Sequence, residues 1–132
     1  MPDIYMLDTD ICSYIIRNQQ ELADVFIKRQ HNDIRISAIT YAELLYGVKK
    51  SGSLRVEKEV KRFLPLVRVQ DWNETSAQHY ANIKDFLTKK GLPICNIDML
   101  IAAAALATDA ELVTNNKKHF CLVPDLKIAD WV

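Results

Sequence analysis

Four short stretches of this 132-residue sequence place oxygen-bearing side chains at the edge of an apolar run. They are Asp8-Thr9-Asp10 after Ile4 to Leu7, Ser37 to Glu43, Asn96 to Asp98 ahead of Met99 to Ala107, and Thr114-Asn115-Asn116 after Glu111. Three of the four carry a carboxylate. Singly, each has an ordinary role: Asp8 or Asp10 caps a helix, Thr40-Tyr41-Ala42-Glu43 fits a capping box, and Asp98 in a first helical turn complements the dipole. Gathered into one cleft, three carboxylates repel each other and raise each other's pKa unless a cation is bound. An oxygen-only cluster of that kind suits Mg2+ or Mn2+, held by one or two carboxylates, water and a substrate phosphate.

Alternating elements must position these groups. Ile4 to Leu7 reads as a buried strand, Ile11 to Ile15 and Leu22 to Arg29 as helices, and Asp33 to Ser37 as a second strand. A helix follows through Leu44 and stops near Gly47 and the Lys49 to Gly52 stretch, then a charged helix from Leu54 to Leu64 closed by Pro65. Leu66 to Val69 is a strand, Glu74 to Lys90 a helix, and Asn96 caps a helix whose body, Met99 to Ala107, is apolar nearly all round and therefore buried. Glu111 to Thr114 and Leu126 to Ile128 complete the strands. This alternation predicts an α/β domain with a parallel sheet, in which ligands sit beyond the carboxyl ends of the strands.

Composition narrows the partners. Seventeen Lys and Arg balance seventeen Asp and Glu, so no bulk positive field holds nucleic acid; local contacts must do so. The length fits one domain, 1–132, and no apolar run approaches the ~18 residues that span a bilayer. An acid at position 3 and no basic start argue against a signal peptide, and the odd, widely spaced Cys12, Cys95 and Cys121 fit reduced thiols, so a cytoplasmic protein is expected. Cys12 and Cys121 are read as core filler.

Five blocks together resemble the PIN-domain ribonucleases of the VapC toxin type. LDTD (Leu7 to Asp10) is similar to that family's opening LDTN, and ITYAELLYG (Ile39 to Gly47) to its T-x-x-E-L-x-x-G block. GLPICNIDMLIAAAA (Gly91 to Ala105), LVTNNKKHF (Leu112 to Phe120) and the Asp130-Trp131 ending resemble the remaining blocks, in order and at family spacing. The resemblance implies a three-layer α/β/α PIN-like fold around a central, mostly parallel sheet of about five strands. It implies a metal-dependent endoribonuclease using Mg2+ or Mn2+, with Asp8, Glu43 and Asp98 as the acidic metal triad and Asn116 where many PIN domains have a fourth acid. It further implies a VapB-type antitoxin whose tail blocks the cleft, a toxin homodimer, and transfer RNA as substrate, with the initiator tRNA anticodon loop as the target in similar relatives.

Residue chemistry agrees with that assignment. A metal on Asp8 and Asp98 could polarise a phosphodiester oxygen and activate water, while Glu43 binds a second metal or orients the water. Thr9 is placed to hold a carboxylate or phosphate. Lys49, Lys50, Lys89, Lys90, Lys117 and Lys118 are candidate RNA contacts or solvated helix ends. Tyr41, Tyr46 and Trp72 could stack on unpaired bases or belong to the core. His31 and His79 have no ligand-spaced partner and read as structural.

Several positions depart from the family pattern. Asp10 stands where Asn is usual and is read as a helix cap. Cys95 replaces a usual Gly and is read as packing. His119 replaces an acid and is either a surface histidine or, protonated, a phosphate contact. Two competing classes remain: a haloacid-dehalogenase-like phosphatase, suggested by Asp8-Thr9-Asp10 but lacking late paired acids at LVTNN, and an inactive PIN-like interaction module, which loss of Asp8, Glu43 or Asp98 would favour. None of the three is lost.

Overall fold

A computed structural model describes residues 4–92 and 94–131, so Pro93 of the Gly91 to Ala105 block lies outside the described residues. Five strands, β1 (Ile4–Leu7), β2 (Asp33–Ser37), β3 (Arg68–Gln70), β4 (Glu111–Val113) and β5 (Lys127–Ala129), form one sheet in the order β3-β2-β1-β4-β5. All four neighbouring pairs are parallel, so the sheet is wholly rather than mostly parallel. Tyr5 stands opposite Ile34 on one side and Glu111 on the other, which makes β1 the central strand.

Successive residues of a strand face opposite sides, and here the alternation divides the core in two. Tyr5, Leu7, Ile34, Ile36 and Val113 pack with helices α1 (Thr9–Ile16), α2 (Gln20–Lys28), α3 (Ala38–Ser51) and α4 (Leu54–Phe63). Met6 and Leu112 pack with α5 (Glu74–Lys89) and α6 (Asn96–Ala107), where Ala102 to Ala105 are fully buried. The run of four alanines, Ala102 to Ala105, lets α6 lie close to both the sheet and α5. The result is helices, sheet, helices, as a parallel sheet buried on both faces requires.

The element boundaries differ from expectation at identifiable places. Helix α3 passes through Gly47 and ends at Ser51, within the expected Lys49 to Gly52 stretch, where Gly52 adopts φ +59° and closes the helix in the left-handed conformation. Burial of Thr40 and Leu44 holds the helix through the mid-helical glycine. Pro65 sits inside a 3-10 turn (Leu64–Leu66), so α4 ends at Phe63 and β3 starts at Arg68 instead of Leu66. Cys95, not Asn96, occupies the cap position of α6, and its side chain makes no capping bond. A single helical turn, α7 (Lys117–Phe120), stands where only a loop was expected. Cys95 is exposed rather than packed, and Cys121 is exposed with its thiol donating to the Lys118 carbonyl; Cys12 alone of the three is buried. Among the described residues no helix is long and apolar enough to cross a membrane.

Candidate active site

Because every strand runs the same way, the carboxyl ends of β1, β2 and β4 open on one edge of the sheet. Asp8 is the first residue past β1. Its backbone N–H still donates to the Val113 carbonyl, and its Oδ1 accepts from the Ile11 N–H at 2.9 Å, capping α1. Asp8 therefore both caps the helix and stands at the strand end, and Asp10, expected as the cap, lies in the first turn instead. The second Asp8 oxygen, Oδ2, accepts from the Thr114 hydroxyl at 2.5 Å. Thr114 follows β4 and is itself buried; its oxygen accepts the Asn116 N–H at 2.9 Å.

Glu43 comes from one turn into α3. Ser37 caps that helix by accepting the Thr40 N–H at 3.1 Å, so the Thr40–Glu43 capping box does not form. The Glu43 carboxylate accepts instead from the Thr9 hydroxyl, whose oxygen lies 3.2 Å from that of Thr40. Thus Thr9 ties the start of α1 to α3 directly beside Asp8. Asp98, in the first turn of α6, is half-buried.

Electrostatics joins these side chains. Burial pushes the Asp8 carboxyl up to about 6, against the lowering effect of the Thr114 and Ile11 hydrogen bonds, and the negative fields of Asp10 and Asp98 raise it further. Burial also raises Asp98; the nearby His119 opposes the shift and Asp10 adds to it. Asp8 and Asp98 both lie in the field of Asp10, with no lysine or arginine among the groups that shift the two. Buried anions held only by neutral donors favour either a proton or a cation. Among the described residues no three His, Cys, Asp or Glu side chains form a ready-made metal cage. The oxygen-only pair of Asp8 and Asp98 fits a hard divalent ion that keeps part of its water shell, since Mg2+ needs only one or two carboxylates.

Other candidates fall on either side of the site. Asn116 follows Thr114, and its side-chain Nδ2 lies 3.0 Å from His119 Nδ1. Lys117 is drawn into a surface ion pair with Asp130, whereas Lys118, Lys49 and Lys50 are exposed. Lys89 pairs with Asp85, and Lys90 lies over the Phe86 ring. Trp72 is structural: its indole N–H donates to the Leu100 carbonyl and its ring meets Tyr80 edge-on. Tyr41 packs on the core, while Tyr46 is exposed. Thr114 had no separate role assigned from sequence, where a threonine just past an apolar strand was the available signal, and Thr40, read as a capping-box residue, instead lies against the Thr9 hydroxyl. A groove of about 620 Å³ runs beside Glu43, lined by Thr9, Asp10, Tyr14, Arg17 and Arg55.

Comparison with known proteins places the fold and the family. The PIN domain family matches residues 5–126. Ribonuclease VapC2 of Rickettsia felis is 38% identical over 97% of this chain and 98% of its own length. The tRNA(fMet)-specific endonuclease VapC of Salmonella typhimurium is 34% identical over 96% of this chain and 97% of its own. Among solved structures, VapBC2 from Rickettsia felis bound to a promoter DNA fragment superimposes with a TM-score of 0.90 at 36% identity, covering 98% of this chain and 99% of that one. DNA-bound VapBC from Salmonella typhimurium gives 0.88 at 33% identity, over 98% and 99%. With a five-stranded parallel sheet whose central strand leads into Asp8, Thr9 linking that turn to Glu43, and matches that run nearly end to end, this chain belongs to the PIN-domain family, among its VapC ribonucleases.

Proposed function

We propose that the chain is the toxin of a VapBC-type toxin–antitoxin pair, a metal-dependent endoribonuclease that cleaves tRNA and so stops translation in the cytoplasm. The observation that carries this reading is the buried Asp8 carboxylate, held by neutral donors and raised in pKa beside a second raised carboxylate, Asp98, with no lysine or arginine among the groups that shift the two. The name of the Salmonella typhimurium relative supports initiator tRNA as substrate, and its anticodon loop offers the splayed bases that a protein cleft can reach.

Asp8 and Asp98 would hold a Mg2+ or Mn2+ ion, with Glu43 as a further ligand or a base. The ion, when bound, supplies polarisation of a phosphoryl oxygen and a bound water of lowered pKa. Thr114 and the Ile11 N–H each fix one oxygen of Asp8, so the carboxylate cannot rotate away. Thr9 fixes Glu43, which can then accept a proton from the water that attacks phosphorus while the ester P–O bond breaks on the far side. Lys49, Lys50 and Lys118 remain as exposed cations for flanking phosphates, and setting the three site acids aside leaves a surplus of three basic side chains.

The solved VapBC relatives support a VapB-type antitoxin as partner. An antitoxin tail lying in the groove beside Glu43 would close the approach to Asp8, and a homodimer would set two such clefts side by side. Incubation of the purified chain with tRNA, with and without Mg2+ or Mn2+, tests the proposal. Cleavage that vanishes with a chelator and with Asp98→Asn is expected; cleavage indifferent to both sinks the metal assignment. Release of phosphate from a small phosphoester without RNA cleavage would favour the phosphatase instead.

A further inference from the structure

One hydrogen-bonded chain leaves Asp8 and ends on a histidine that the reading above does not use. The Thr114 hydroxyl donates to Asp8 Oδ2 at 2.5 Å, the Asn116 N–H donates to Thr114 Oγ1 at 2.9 Å, and Asn116 Nδ2 lies 3.0 Å from His119 Nδ1. An amide NH2 has no lone pair to offer, so in this contact Nδ1 accepts, and the imidazole proton of the neutral ring resides on Nε2. The turn that carries the ring is anchored twice: Phe120 beside it is buried in the core, and the backbone N–H groups of His119 and Phe120 both donate to the Asn116 carbonyl at 3.2 Å. The ring itself is exposed, yet near enough to Asp98 for its cationic form to pull that carboxyl down.

We propose that His119 is a catalytic residue of the ribonuclease, donating a hydrogen bond from Nε2–H to a non-bridging oxygen of the scissile phosphate, and that Asn116 is the positioning residue that fixes this tautomer. The inference rests on the ribonuclease reading. Its physical content is a donor aimed at charge that grows as phosphorus becomes five-coordinate, delivered without the Coulombic penalty of a carboxylate at the same place.

Three variants and one spectrum test it. His119→Ala is expected to lower kcat for tRNA cleavage on the order of 100-fold, the scale of losing one preorganised donor, with little change in KM. His119→Gln, whose amide nitrogen can occupy the place of Nε2, is expected to restore most of that loss, which a merely structural role would not produce. Asn116→Ala is expected to give an intermediate fall in kcat. In the wild-type chain without RNA, 15N NMR of the ring is expected to show the proton on Nε2, and in Asn116→Ala a mixture of tautomers. Wild-type kcat in His119→Ala, equal rates for the Ala and Gln variants, or a proton on Nδ1 would overturn the proposal. If the wild-type chain cleaves no RNA, the ribonuclease reading falls and this one with it; if it cleaves and His119→Ala is unimpaired, only this one falls.

Discussion

Asp8 and Asp33 lie at opposite ends of neighbouring strands, and they have opposite fates. Asp33, at the entry of β2, faces the Arg35 guanidinium two residues on, which donates at 3.0 and 2.8 Å. That hydrogen-bonded pair holds the Asp33 carboxyl below its ordinary value and raises Arg35. Asp8, at the exit of β1, is 5% exposed, receives only neutral donors, and is pushed up to about 6. One aspartate is balanced within the chain; the other is left for something outside the chain to balance. The amino-end edge of the sheet pairs its charge within the chain, while at the carboxyl-end edge the Asp8 charge is held against burial, where a proton or, under the function proposed above, a cation offsets it.

The widest separation between the two should come from neutralising each. Asp8→Asn is expected to lower tRNA cleavage on the order of 1000-fold, as loss of a contact to the transition state does, and yet to raise the Tm of the metal-free protein by a few degrees. Gel assays and thermal melts read the two effects; a fall in Tm with the fold intact would mean that Asp8 is not held against its charge. The same asymmetry governs pH. Below about pH 4 the Asp8 carboxyl is protonated in both folded and unfolded chains; as pH rises toward about 6 the unfolded chain ionises first. Metal-free stability should therefore fall across that window, by roughly 3 kcal/mol at 1.36 kcal/mol per unit, and Asp8→Asn should flatten the fall. Urea titrations at several pH values measure it.

A smaller effect sharpens the comparison from the side of the donors. Thr114→Val removes the hydroxyl that serves both Asp8 and the Asn116 N–H, at a cost of about 2 kcal/mol, and raises the Asp8 carboxyl further. Thr114→Ser should restore most of the loss; failure to do so would assign the effect to packing. Smallest is Asp33→Asn, expected to cost at most about 1 kcal/mol and to leave cleavage unchanged. Its contribution has the opposite pH sign, being present above the ordinary carboxylate range and lost as pH falls through the lowered pKa.

Much of this layout was legible before any coordinates. The apolar runs beginning at Ile4, Leu112 and Met99 mark elements whose ends carry Asp8, Thr114 and Asp98, and run length with the flanking polar residues separates strands from helix there. What escaped was local. Asp8 and Asp10 both stand near the start of α1, and only the Asp8 bond to the Ile11 N–H, three positions on, decides which one caps. Thr40 and Glu43 have capping-box spacing, but Ser37 lies where the chain leaves β2 and takes the cap first. The α7 turn is four residues long, too short to show a period, so the bond between Asn116 and His119 could not be read from spacing. Cys95 on the surface shows that a buried-type residue can sit at a helix start when nothing packs over it.

The bond from Thr114 to Asp8 joins residues 106 positions apart, and β4, which carries Thr114 to that place, supplies one of the two hydrogen-bonding neighbours of the central strand. During synthesis, then, Asp8 is made 106 residues before the hydroxyl that completes its seat. A nascent or truncated polypeptide ending before Glu111 has no strand beside β1 on that side and no hydroxyl to fix the carboxylate. The seat of Asp8 is thus a product of long-range folding, assembled from two segments that are far apart in the chain and neighbours only in the sheet.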